Sequence, residues 1–158
     1  AVAGDSAGGN LTLTLMLKLR ELGTELPAAG ACLSPAVDFS NKINPLHDFQ
    51  DPVVPPRIMK RYTEAYLGAS DPLNPLISPV FADLAGLPPL LVHVGEDETL
   101  REDALRITAQ AEAAGVDVRL EIYPRMWHVW QLFPGLPQAE QSLEDIANFL
   151  LEQWVGNQ

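Results

Sequence analysis

The chain has 158 residues, 47% of them hydrophobic and 20% charged, with 11 Gly and 14 Pro, which excludes a disordered tail and a fibrous repeat. That length fits one domain with one core. Lys and Arg number 10 against 21 Asp and Glu, and the net charge of −11 repels phosphate backbones and anionic lipid head groups, so nucleic acid and anionic membrane are poor partners.

The single cysteine, Cys32, has no thiol to pair with and no metal-ligand spacing around it, so it reads as a small buried apolar residue in a reducing, cytoplasmic compartment. No apolar run approaches the roughly 18 residues of a membrane span, and no charged and apolar leader opens the chain. It lacks an initiator Met and begins Ala1-Val2-Ala3-Gly4, an apolar run heading into a Gly-rich turn, which reads as a fragment.

In chain order, the apolar opening is a strand cut by glycines. Residues 10–23 carry Leu at every second position from Leu11 to Leu19, a strand-like alternation. Yet Leu11, Leu15, Leu19 and Leu22 also stack at i, i+4 spacing, Leu13 and Leu17 do the same, and Gly23 sits where a helix ends. The expectation is a helix that is apolar nearly all round and therefore buried. Ala29 to Phe39 reads as a buried strand ending at Pro35, and 40–56 as a loop rich in Asn, Asp and Pro.

Arg57 to Leu67 is predicted as an amphipathic helix closed by Gly68. Leu90 to Gly95 is a short apolar strand, Glu102 to Ala114 a helix capped by Gly115, and Val116 to Tyr123 a strand. An aromatic loop, 124–137, leads to a last helix from Gln138 to Trp154. Its expected apolar face is Leu143, Ile146, Ala147, Leu150, Leu151 and Trp154. Strands alternating with helices give the α/β class, a mostly parallel sheet flanked by helices, with apolar strand runs to match.

Gly4-Asp5-Ser6-Ala7-Gly8 fits G-x-S-x-G, the pattern of a nucleophile elbow. A sharp strand-to-helix turn holds the serine in a strained backbone region, where small residues are needed on either side, and lifts its hydroxyl above the strand ends. The helix that follows aims its first N–H groups at the same spot, so the Ala7 amide can receive a developing oxyanion. The alternative is a Gly-rich turn with an incidental serine; the apolar run before and the helix after favour the elbow.

Such a serine needs a base and an acid, which follow it in the order acid, then histidine. His47 precedes every plausible acid and reads as surface or local packing, and His93, mid-strand, as a satisfied core histidine. His128 lies in the loop after the last strand, within reach of a serine at the sheet's carboxyl edge, and is the candidate base. The acid belongs just beyond the Leu90–Gly95 strand, where Glu96, Asp97 and Glu98 run together, and spacing does not choose among them. Asp103 reads as a cap or brace of that loop. Trp127, Trp130 and Phe133 crowd around His128, either as a packed loop or as the wall of an acyl pocket.

With GDSAGGN, SPAVDFS, DPLNPLISPVFADLAGLPPLLVHVGEDETLREDA and AGVDVRLEIYPRMWHVW in one order before the closing helix, the chain resembles the bacterial hormone-sensitive-lipase-like, or family IV, carboxylesterases of the α/β-hydrolase fold. The likeness covers essentially the whole chain and corresponds to the C-terminal half of such an enzyme, from the nucleophile elbow onward. It implies one partial α/β-hydrolase catalytic domain over 1–158, with 40–67 as a cap-associated excursion. It places the nucleophile at Ser6, an oxyanion amide at Ala7 and the base at His128. Members that write the acid segment G-x-x-E-x-L use glutamate, which selects Glu98, with Asp97 as the alternative. The family's H-G-G-G oxyanion run would lie before Ala1.

The resemblance implies a serine esterase acting on short- to medium-chain acyl esters through an acyl-enzyme, with no metal or organic cofactor. Expected partners are a small ester and, at most, further copies of the chain. The alternatives are an amide hydrolase or deacetylase on the same residues, or a non-catalytic hydrolase-like binding protein. Alone, the chain is expected to be poorly soluble or inactive.

Overall fold

The computed structural model describes residues 1–40 and 51–155, except the side chain of Pro56. In order come β1 (Val2–Asp5), α1 (Ala7–Glu21), β2 (Gly30–Leu33), α2 (Pro56–Leu67), β3 (Leu90–Gly95), α3 (Arg101–Ala113), β4 (Val118–Tyr123) and α4 (Pro137–Val155). Short 3-10 turns lie at Pro79–Phe81 and Trp130–Leu132. The sheet runs β1-β2-β3-β4, and all three pairings are parallel. The carboxyl ends of the strands therefore open onto one edge, where ligand sites of such sheets form.

Alternation along the strands sends side chains to two faces. Cys32, Leu90, Val92 and Val94 meet Leu13, Met16 and Leu17 of α1 and Ala104, Ile107 and Ala111 of α3. Ala31 and Leu91 point the other way, against Phe149, Ile146 and Leu150 of α4. Cys32 is buried as expected, and burial pushes its thiol up to about 12. Among the described residues, no helix is long and apolar enough to cross a membrane.

Four expectations are corrected. β2 stops at Leu33, because Ser34 adopts a positive φ of 47° and residues 35–39 leave the ladder as an irregular strap. β4 starts at Val118, two residues later than expected. The helix α1 is not buried all round: Leu11, Leu15 and Leu22 are exposed, while Asn10, Thr12 and Thr14 share the inner face with Leu13, Met16 and Leu17. A buried threonine is tolerated on a helix because its hydroxyl can return to the preceding turn, as Thr14 does to the Leu11 carbonyl at 3.4 Å. In α4 the inner face is Ala139, Ser142 and Phe149 with Ile146 and Leu150, and Leu143, Ala147, Leu151 and Trp154 face outward.

Residues 51–67 lie over the loops that leave β2 and β3. Val54 and Met59 pack with Ala36, Phe39 and Leu100. The buried Asp51 carboxylate accepts the Thr99 N–H at 3.1 Å, and the Thr99 hydroxyl donates to the Val54 carbonyl at 2.8 Å. The helix α2 has Pro at its start, where no intrahelical N–H is needed, and ends at Gly68 with φ 51°. His47 lies outside the described residues.

Candidate active site

Ser6 occupies the turn between β1 and α1 with φ 53° and ψ −116°. A Cβ added at Gly4 would run into the backbone carbonyl of Gly8, so this approach demands glycine at position 4. A Cβ on Gly8 would meet nothing within 4 Å. A Cβ on Gly9 would come within 2.8 Å of the Pro35 side chain, so the need for small residues on both sides of Ser6 falls on positions 4 and 9 and not on position 8. The Ser6 N–H donates to the Leu33 carbonyl at 2.8 Å, and the Ser6 carbonyl accepts the Ala36 N–H at 3.2 Å. As the first residue of α1, Ala7 carries an N–H with no intrahelical acceptor.

The other two groups come from neighbouring strand ends. Glu98 follows β3 by three residues, and His128 lies in the turn beyond β4. The His128 Nε2 is 2.9 Å from Ser6 Oγ, and its Nδ1 is 3.3 Å from Glu98 Oε1. Both partners of this pair are buried, Glu98 to 1% exposure and His128 to 2%, so their interaction is shielded from water. The second carboxylate oxygen, Oε2, accepts the Gly95 N–H at 2.7 Å and the Ser34 hydroxyl at 2.8 Å. With a neutral imidazole, Nδ1–H donates to Glu98 and leaves Nε2 free to accept the serine proton.

The three carboxylates after β3 separate by environment. Glu96 accepts the Arg125 N–H at 3.1 Å and braces the turn toward β4. Asp97 is half-buried, and its backbone N–H reaches the Met126 carbonyl at 2.9 Å. Only Glu98 meets His128 among the described residues. Asp103 is a brace, though of the strap after β2 rather than of the acid loop: its Oδ2 accepts the Val37 and Asp38 N–H groups at 2.8 and 3.1 Å.

His93 sits in the core at 1% exposure, facing α4 rather than the site. Its Nδ1 is 2.8 Å from Ser142 Oγ, while Nε2 has no partner, so it is only half satisfied. Burial pulls it down to about 4, outweighing the Asp145 carboxylate, which acts the other way. Of the aromatic residues, Trp130 is wholly buried, packed on Tyr123 at 4.8 Å with its indole N–H on the Gln138 carbonyl, and so anchors the loop. Trp127 and Phe133 meet edge-on at 5.4 Å nearer the surface.

Backbone strain gathers here. Of the four non-glycine residues with positive φ among the described residues, Ser6, Ser34 and Val129 touch or adjoin the three groups above. Each such residue costs of order 1–3 kcal/mol and persists where its surroundings hold it. Reading from sequence missed Ser34 and Asn10, whose Nδ2 donates to the Ala36 and Ile77 carbonyls at 2.9 and 2.8 Å. Position was the available signal for Ser34, the first residue beyond β2, the strand beside β1. No group of three or more His, Cys, Asp or Glu among the described residues is placed to hold a metal ion.

A family model for the alpha/beta hydrolase fold matches residues 1–132. An acetyl-hydrolase from Streptomyces hygroscopicus is 39% identical over 152 residues, covering 94% of this chain and 51% of its own length. An esterase from Acinetobacter venetianus is 37% identical, with 94% of this chain and 50% of the relative covered. Among solved structures, an esterase from the bacterial hormone-sensitive lipase family is 46% identical with a TM-score of 0.91, covering 96% of this chain and 52% of that one. A hormone-sensitive lipase from a metagenome library is 42% identical, also with a TM-score of 0.91 and the same coverages. The chain thus spans about half the length of the relatives it matches. On the family match, the parallel sheet and the structural likeness together, the chain belongs to the alpha/beta hydrolase fold family.

Proposed function

We propose that the protein carrying this chain is a serine carboxylic ester hydrolase acting through an acyl-enzyme on Ser6. The observation that carries the reading is the 2.9 Å contact between Ser6 Oγ and His128 Nε2, backed by Glu98 on Nδ1. Ser6 Oγ attacks the ester carbonyl as His128 Nε2 takes its proton, and the oxyanion lies toward the Ala7 N–H. The alcohol leaves with the proton returned by His128. Water, deprotonated by the same nitrogen, then attacks the acyl-enzyme and releases the carboxylic acid. Glu98 holds the imidazole in the required tautomer and offsets the charge it gains.

The relatives named as acetyl-hydrolase and esterase support ester chemistry of this kind. Short- to medium-chain acyl groups are the proposed substrates, with Trp127 and Phe133 as the acyl wall. The test is hydrolysis of a p-nitrophenyl ester series from acetate to laurate by the intact natural protein and by its Ser6→Ala and His128→Ala variants. Turnover that peaks at short or medium chains and disappears in both variants is expected; turnover surviving Ser6→Ala would overturn the assignment.

A further inference from the structure

The strap that leaves β2, residues 34–39, is held by more buried polar groups than a connecting loop needs. The Ser34 N–H donates to the His93 carbonyl at 2.7 Å, anchoring it to β3. Asn10 of α1 grips the Ala36 carbonyl, Asp103 of α3 takes two strap N–H groups, and the buried Ser78 hydroxyl accepts the Phe39 N–H at 2.9 Å. Three points of the strap and the preceding residue touch the site. Leu33 and Ala36 bind the backbone of Ser6 from both sides. Ser34, fully buried, donates its hydroxyl to Glu98 Oε2 at 2.8 Å. Ser34 Oγ itself accepts the N–H of Val129, the residue after His128, at 3.2 Å.

We infer that Ser34 is a positioning residue, a single hydroxyl that fixes the acid and the base loop relative to each other while its own segment fixes the nucleophile. The hydrogen-bond directions leave it one arrangement. Its oxygen accepts from Val129, and its only proton goes to Glu98, whose Oε2 is thereby satisfied together with the Gly95 N–H. Oε1 is left for His128. Ser34 and Val129 both stand at positive φ, 47° and 52°, so the two ends of the Val129 N–H to Ser34 contact are each held against backbone preference. Without the hydroxyl, Glu98 can turn about its last torsion, the base loop loses its tie to the strap, and Nδ1 of His128 loses its fixed acceptor.

This inference rests on the proposed roles of Ser6, Glu98 and His128, and the experiment separates the two. Ser34→Gly is the informative variant, because glycine accepts positive φ without strain and deletes only the side chain; Ser34→Ala removes the same hydroxyl and keeps a Cβ. Both are made in the intact natural protein, with Ser6→Ala, Glu98→Gln and the double variant Ser34→Gly/Glu98→Gln alongside. Ser34→Gly is expected to lower kcat about ten- to hundredfold, the range for a hydrogen bond to a charged group, with KM changed less than about threefold. In the double variant the losses do not multiply, since Ser34 acts through Glu98.

A kcat for Ser34→Gly within twofold of the parent, or losses that multiply in the double variant, would overturn the role of Ser34. If Ser34→Gly failed to fold, the same criteria apply to Ser34→Ala and its double variant. Turnover persisting in Ser6→Ala would instead sink the nucleophile assignment, and the inference with it.

Discussion

Replacing Glu98 by glutamine probes the site where its geometry is most specific. The side chain is buried, and its carboxylate has three partners: the Gly95 N–H and Ser34 hydroxyl on Oε2 and His128 Nδ1 on Oε1. A glutamine of the same shape keeps its carbonyl oxygen toward the two fixed donors. Its NH₂ group then faces Nδ1 of His128, which must become an acceptor, so the ring proton moves to Nε2, 2.9 Å from Ser6 Oγ. A base that already carries its proton cannot take another from serine. The corresponding substitution in a serine protease costs about 10⁴ in kcat, or about 5.5 kcal/mol of transition-state stabilisation. Asp97→Asn alters a half-buried carboxylate that makes no hydrogen bond to His128 among the described residues, and is expected to change kcat less than about threefold, as surface substitutions do. Steady-state hydrolysis of p-nitrophenyl butyrate by both variants, with thermal melts to check folding, decides the matter. A loss below tenfold in Glu98→Gln, or a larger one in Asp97→Asn, would refute the assignment.

The elbow makes a steric contrast: Gly4→Ala drives a Cβ into the Gly8 carbonyl and should destabilise by roughly 1–3 kcal/mol, whereas Gly8→Ala, with open space around its Cβ, should shift stability by less than about 1 kcal/mol in thermal or urea melts. Equal losses at the two positions would contradict the packing described. His93, pulled by burial to about 4, refuses a proton that the unfolded chain takes below about pH 6.5. Stability should therefore fall as pH drops from 6.5 toward 4, by up to about 3 kcal/mol, and His93→Gln should flatten that slope in urea titrations. Asp103, pushed by burial to about 6, works with the opposite sign. Its folded form keeps a proton the unfolded chain has released, so stability is lost as pH rises from about 4 to 6, and the difference between wild type and Asp103→Asn should trace that window.

The elements legible in the sequence were those with a strong local signal. The Leu90–Gly95 strand matches residue for residue, because a short apolar run bounded by Pro89 and Gly95 has few other readings. The helix α2 and its stop at Gly68 follow from proline at one end and glycine at the other. Which face of a helix turns inward was less legible. In α1, leucines are plentiful on every side, and the sheet accepts Leu13, Met16 and Leu17 with threonines between them. In α4 the choice fell to Phe149, whose ring also lies 5.4 Å under Arg119, while Leu151 and Trp154 stay outside.

The serine turn, the histidine after the last strand and an acid after β3 were readable from motif and chain order. Choosing Glu98 over Asp97 took the resemblance, and in space the two are told apart by burial and by the Gly95, Ser34 and His128 contacts. Ser34 was not readable, since its partners lie 64 and 95 positions away and nothing local marks a serine before a proline as a brace. Trp130 and Trp127 differ by only three positions, yet one fills the space under the loop and the other lies nearer its surface.

The central claim is a covalent step at one oxygen, and trapping reads it directly. The intact natural protein is treated with a fluorophosphonate, an electrophile for activated serines, and the adduct is located by peptide mass spectrometry. The account predicts one stoichiometric adduct on the peptide carrying Ser6, absent in Ser6→Ala and formed at least about 10³-fold more slowly in His128→Ala. Modification at another residue, or undiminished labelling of Ser6 without His128, would contradict it.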